Sequence, residues 1–266
     1  AMRTLIVFMF CLAFSPAFAE VEQAKETSEP VGTYLKIGVM DWTEYIQNKV
    51  FIQDRVMLVT AGMEGTLPVS KKLEISWLIE AYGGVGVYNG SMLLSKKPVK
   101  TVAVYLGIRE EVALHMRTSN GDKFQAGSFL GLGHTLFARE PEAEIWNVVY
   151  ARVGVETAFR ISDTKVFVRY GAVLPIATMV YGSHLNIGYE DGFYFPRGRV
   201  SVFGELGCTL SDATKMSIAF DSLQLGRSTS VKSQQLFGGN TLSFFQPDSK
   251  SYTVWLKVSY HFGQSK

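Results

Sequence analysis

The chain is expected to fold as an all-β protein, a single closed antiparallel transmembrane β-barrel of about ten strands, with eight to twelve compatible with the pattern. Three observations lead there. Residues 251–262 alternate: Tyr252, Val254, Leu256, Val258, Tyr260 and Phe262 form one apolar set, and Thr253, Trp255, Lys257, Ser259 and His261 a mostly polar one. A period of two puts each set on its own face of a strand. Ten such runs follow one another between turn-like breaks. Past the N-terminus no segment has the long apolar run of a membrane helix, so a membrane-inserted chain must pair its backbone by closing a barrel.

Taken in order, residues 1–19 read as a secretory signal peptide. Met2-Arg3 is the basic start, residues 5–14 are nearly all apolar, and Ala17-Phe18-Ala19 offers a cleavage pattern before Glu20. Removing it takes Cys11 away and leaves Cys208 unable to form an intramolecular disulfide. Residues 20–30 are charged and read as a flexible lead-in. The barrel is expected over 31–262, followed by a short polar tail, 263–266. Its strands are placed at 32–42 (Leu35, Ile37, Val39), 55–67 (Met57, Val59, Ala61, Met63), 73–87 (Leu73, Ile75, Trp77, Ile79) and 100–117 (Val102, Val104, Leu106, Ile108). Further strands are 124–137, which is Gly-rich, 147–161 (Val149, Ala151, Val153, Val155) and 165–179 (Val166, Val168, Tyr170, Ala172). The last three are 199–210 (Val200, Val202, Leu206, Cys208), 214–225 (Met216, Ile218, Phe220) and 251–262. Breaks at 68–72, 118–123, 162–164 and 211–213 are short, and those at 43–54, 88–99, 138–146, 180–198 and 226–250 are longer. Short and long alternate, as they must if one end of a barrel carries turns and both termini and the other end carries loops.

A final strand with apolar residues at every second place and an aromatic at its end resembles the assembly signal of bacterial outer-membrane β-barrel proteins. The residues that carry it are Val254, Leu256, Val258, Tyr260 and Phe262, with the departure that Gly263 to Lys266 follow the aromatic. The resemblance implies export to a Gram-negative outer membrane, contact with outer-membrane lipid and lipopolysaccharide, and insertion by the barrel assembly machinery. Short breaks would then be periplasmic and long ones extracellular.

A formal net charge of +2 excludes the basic excess of a nucleic-acid binder. Four His and one mature Cys make no metal cluster, and no cofactor motif is present. Alternation sends Glu80, Arg109, Glu111, Arg152, Glu156, Arg169, Glu205, Asp221 and Lys257 inward, with Lys36, Glu64, Glu74, Arg117, Lys165, His115 and His261. Mixed charges in a narrow lumen are expected to pair into a polar network. In the long loops Tyr189, Phe193, Tyr194, Arg197, Phe237 and Phe244 are the recognition candidates for an extracellular ligand, since aromatics with Arg are typical of such surfaces. Omptin proteases use carboxylates and a His near the external rim. Asp41, Glu44, His184, Glu190 and Asp191 stand near the rim here, without an Asp-x-His arrangement, and Ser183-His184 are adjacent residues that do not face each other on a strand. No catalytic residue is assigned. The expected role is a non-enzymatic structural or adhesin-like surface barrel. The alternatives are a narrow porin-like channel and, third, a rim-located hydrolase.

Overall fold

In the computed structural model, residues 31–70, 72–91, 97–120, 123–162, 164–236 and 239–262 are described. The signal segment 1–19, the lead-in 20–30, the tail 263–266 and Phe237 lie outside them. Ten strands form the wall: β1 Gly32–Ile46, β2 Lys49–Pro68, β3 Leu73–Ser91, β4 Pro98–Asn120, β5 Phe124–Glu140, β6 Glu144–Ile161, β7 Thr164–Gly182, β10 Ser201–Thr209, β11 Thr214–Gly226 and β14 Asp248–His261. Between β7 and β10 stand the short β8, Gly192–Tyr194, and β9, Arg197–Arg199; β12, Val231–Gln234, and β13, Thr241–Phe244, form a hairpin before β14. Wall neighbours pair antiparallel, β10 bonds both β7 and β11, and β14 bonds β11 and β1, which closes the cylinder. Closure leaves no edge strand. No helix of the described residues is long and apolar enough to cross a membrane, so any crossing is made by strands.

The alternation becomes an outside and an inside. Leu35, Ile37 and Val39 of β1, and Val254, Leu256 and Val258 of β14, are about half exposed on the outer wall, while Tyr34, Met40, Trp42 and Trp255 are buried inside. Similar residues on every wall strand make a continuous apolar belt. Gly38 is required beside Trp255: a Cβ there would come within 2.4 Å of the Trp255 ring.

Two of the breaks expected to be long are corrected. The break at 43–54 is a two-residue hairpin, Gln47-Asn48, with φ of 52° and 62° at the two positions. Positive φ at both central residues matches the twist of the flanking strands. The break at 138–146 shrinks to residues 141–143. The cause is solvation. About 9–11 residues per strand suffice to cross a bilayer, and β4 has 23 residues, so the wall continues beyond the belt. There its outer face is polar: Asp41 accepts hydrogen bonds from Gln53 Nε2 at 3.0 Å and Arg55 Nε at 3.3 Å. The apolar signal stops while the strand goes on. The even strand count survives, because both ends of each hairpin lengthen together.

Candidate functional site

The lumen has three levels, taken from the end that carries both chain termini (the terminal end) towards the loop end. At the terminal end lies a cup, a cavity of about 500 Å³ whose lining includes Glu64, His115, Glu156, Lys165, Arg169, Glu205, Lys215 and Lys257. Its carboxylates are engaged: Glu64 with Lys257 at 2.6 Å, and Glu156 with Arg169 at 3.2 Å and His115 at 3.1 Å. Glu205 accepts from Ser217 at 2.7 Å and lies 3.9 Å from Arg169.

Above the cup a knot of side chains crosses the barrel. Glu80 accepts from Lys36 Nζ at 2.5 Å and Tyr34 Oη at 2.7 Å. Arg109 donates to Glu111 at 2.9 Å and to Tyr150 Oη at 2.8 Å. Arg152 reaches Glu111 at 3.1 Å, with its guanidinium 3.7 Å from the centre of the Phe203 ring. Asp221 lies 4.0 Å from Arg109 and 3.9 Å from Arg152. The nine lumen candidates therefore fall into two groups. Glu80, Arg109, Glu111, Arg152 and Asp221 form the knot, and Glu156, Arg169, Glu205 and Lys257 line the cup. Charges withdrawn from water are tolerated when each finds its counter-charge and hydrogen bonds.

The third level fills the mouth at the loop end. Arg139 of β5 is fully buried. Its Nη1 donates to Glu44 at 2.6 Å and its Nε to Glu142 at 3.1 Å, and Asp54 and Glu144 lie at 3.8 and 3.6 Å. Asp54 also accepts from Tyr105 Oη at 2.7 Å, and Glu44 from the Trp42 indole at 3.0 Å. Trp42, Phe137 and Trp146 pack around this cluster, with Phe137 and Trp146 stacked at 5.8 Å and Trp42 edge-on to Trp146 at 5.0 Å. Glu142 sits in the 141–143 turn, beyond the strands. Burial pushes its carboxyl up to about 7; Arg139 acts against that rise, and the Asp54 and Glu44 charges add to it.

The two long loops close over this cluster. Tyr189 bridges to Gln235, and Glu190 N–H donates to the Gln234 carbonyl at 3.1 Å, so residues 183–200 and 227–247 lock together. Phe244 stacks on His184 at 4.2 Å and meets Tyr189 edge-on at 5.6 Å. Gln246 Nε2 donates to Glu44 at 3.2 Å, tying the loop to the Arg139 cluster. Of the recognition candidates, Tyr189, Tyr194 and Phe244 are thus buried within the mouth, and Phe193 and Arg197 are exposed. Packing claimed the aromatics that a loop reading leaves at the surface.

Ser183 and His184 do not address each other. The Ser183 hydroxyl donates to Asp191 at 2.9 Å, and His184 Nε2 is 3.2 Å from Tyr194 Oη. Burial pushes the His184 imidazole down from its ordinary value, against the Glu190 carbonyl and the Asp191 charge. Among the described residues no group of three or more His, Cys, Asp or Glu is placed to hold a metal ion.

The Arg139 cluster escapes sequence reasoning. Glu44 and Arg139 are 95 residues apart, and Glu142 and Glu144 lie inside a stretch that reads as a loop. The one local signal is parity, since Glu44 continues the inward set of Met40 and Trp42.

No family model matches the chain, and no curated protein matches it. Solved structures do. The outer membrane protease OmpT from Escherichia coli aligns at a TM-score of 0.53 and 10% identity, over 91% of this chain and 99% of that one. The transport unit of the autotransporter AIDA-I from Escherichia coli aligns at a TM-score of 0.47 and 10% identity, over 95% of this chain and 96% of that one. At such identity the likeness to the protease is one of fold alone. The closed ten-stranded antiparallel cylinder with an apolar outer belt is the fold of the bacterial outer-membrane β-barrels.

Proposed function

We propose that the chain is a non-conducting outer-membrane barrel that acts through its extracellular end, as a structural or surface-binding protein without enzymatic activity. The loop end is then extracellular and the cup periplasmic. The observation that supports this reading is the filled mouth: Arg139 with its carboxylates, the Trp42–Phe137–Trp146 stack and the interlocked loops together span the lumen. A porin needs an aqueous path, and the route from the cup must cross both the knot and this layer. A structural wall and a binding end need neither.

The surface left for a partner is apolar and basic. Leu185, Phe193, Phe195 and Leu236 are exposed at the loop end. Arg197 and Arg199 are exposed on β9, and Arg227 lies 3.6 Å over the Phe245 ring. Guanidinium groups beside exposed aromatics suit lipopolysaccharide, whose phosphates and sugars surround the extracellular rim, and an extracellular ligand above it. Insertion through the assembly machinery by the β14 residues Val254, Leu256, Val258 and Tyr260, with Phe262 beyond, belongs to the same reading.

The experiment is conductance. Purified protein in a planar bilayer is expected to show no steady current, and deletion of residues 228–246 is expected to produce open-channel noise or steps by uncovering the mouth. Reproducible unitary steps from the intact protein would replace this reading with that of a narrow channel.

A further inference from the structure

The cup at the terminal end holds more positive charge than its carboxylates engage. Glu64 is held by Lys257, Glu74 by Arg117, Glu156 by Arg169 and His115, and Glu205 by Arg169 and Ser217. Lys165 and Lys215 line the same cavity in addition to those cations. Arg160 lines a smaller cavity beside it, together with Lys165 and Gln125, and Lys165 Nζ donates to Gln125 Oε1 at 2.8 Å.

These three cations stand at one level of the wall. Arg160 of β6 is the register partner of Lys165 of β7. Across the next seam Lys165 is tied to Thr209 of β10, whose hydroxyl accepts from the Lys165 N–H at 3.0 Å and donates to its carbonyl at 3.2 Å. Thr209 is in turn the register partner of Lys215 of β11. Residues directly opposite on neighbouring strands share a face. That face is the lumen: Arg160 has the parity of Glu156, Lys165 that of Arg169, and Lys215 that of Ser217. Neighbouring strands lie about 5 Å apart, so the backbones of Lys165 and Lys215 are separated by about 10 Å, a span that two long side chains close between them. Lys165 and Lys215 are each the second residue of their strand, which places the arc at the open rim of the cup.

The arc is under mutual repulsion. Burial, Arg117 and Arg160 act against the charge on Lys165, and Glu156 and Glu74 favour it. Burial, Lys257, Lys165 and Arg169 act against the charge on Lys215, and Glu64 favours it. An anion set between the heads relieves that repulsion.

We propose that Arg160, Lys165 and Lys215 form a binding site for the phosphate group of a small soluble phosphomonoester that enters the cup from the terminal end. A phosphate dianion meets a planar guanidinium that pairs with two of its oxygens and two ammonium groups that act as point charges. A monocarboxylate brings one charge and two oxygens to the same three cations and compensates them less. The cup, at about 500 Å³, has the size of a small-molecule site and leaves room behind the phosphate for an organic body. The arc faces the lumen with the wall between it and the lipid, so the ligand comes from solution and not from a membrane headgroup. The site draws on nothing at the loop end.

The test is isothermal titration of the folded full chain in a zwitterionic detergent, at about 0.15 M chloride to screen diffuse attraction. Glycerol 3-phosphate is expected to bind saturably, one per chain, and acetate to give no saturable heat. The Lys165→Gln/Lys215→Gln variant is expected to raise the Kd for glycerol 3-phosphate by about tenfold or more. Arg160→Gln raises it less, and Lys49→Gln, in the hairpin at the loop end, leaves it unchanged. All variants are checked for folding by their shift on unboiled gels. Wild type without saturable heat at millimolar glycerol 3-phosphate overturns the proposal. An unchanged Kd in a folded double variant also overturns it, as does acetate binding as tightly as the phosphate.

Discussion

Replacing Arg139 by Met is expected to be among the most damaging single changes in the barrel. Four carboxylates, Glu44, Asp54, Glu142 and Glu144, lie within 4 Å of this one guanidinium, which is fully buried. Met keeps much of the volume and removes the charge. The remaining carboxylates then repel one another in a dry site, and they must either take up protons or pull the mouth apart. Breaking a buried ion pair from one side costs about 3–5 kcal/mol. The loss appears as a lower urea midpoint for the folded-to-unfolded gel shift. Because Gln246 hangs on Glu44, it also appears as faster proteolysis within 227–247. A midpoint within experimental scatter of wild type would mean that the cluster contributes nothing to closure. Replacing Arg139 and its four carboxylates together with apolar residues is expected to be far milder than removing Arg139 alone, since a buried network of this kind is costly mainly when it is half-satisfied.

The second large effect is one of pH. Glu142 has its carboxyl pushed from 4.5 up to about 7 by burial in the folded mouth. The folded state therefore holds a proton that the unfolded turn releases. Its contribution to stability is fully present below pH 4.5, shrinks as pH rises, and is lost once pH passes 7. A shift of that size corresponds to something on the order of 3 kcal/mol. Arg139 keeps its charge throughout, so the balance is set by the carboxylates alone. The expected result is a mouth that tightens under mild acid. Protease resistance of residues 227–247 rises between pH 8 and pH 5 in wild type, and the rise is smaller in the Glu142→Gln variant. Equal pH dependence in the two would assign the effect to another group.

How much of this was legible follows from where each feature gets its signal. On β14 the apolar and polar sets are separated by lipid on one side and a wet lumen on the other, so the alternation is clean and the strand can be read directly. Beyond the belt both faces are polar or aromatic, the contrast vanishes, and the strands run on unseen through Glu44 and Asp54. The Arg139 cluster draws on β1, β2, β5, β6 and the turn between the last two, and no local pattern ties those places together. Tyr189, Tyr194 and Phe244 stand in sequence among polar loop residues and give no sign that they turn inward to stack around His184.

The central claim is that the lumen is open at the terminal end and closed at the loop end. Lys215 of β11 lines the cup. A Lys215→Cys substitution in a Cys11→Ser/Cys208→Ser background leaves a single thiol, there. In oriented proteoliposomes a charged, membrane-impermeant maleimide is expected to label it when presented to the terminal end and to leave it unlabelled when presented to the loop end. Labelling from the loop end at a comparable rate, or no labelling from the terminal end, would contradict the account.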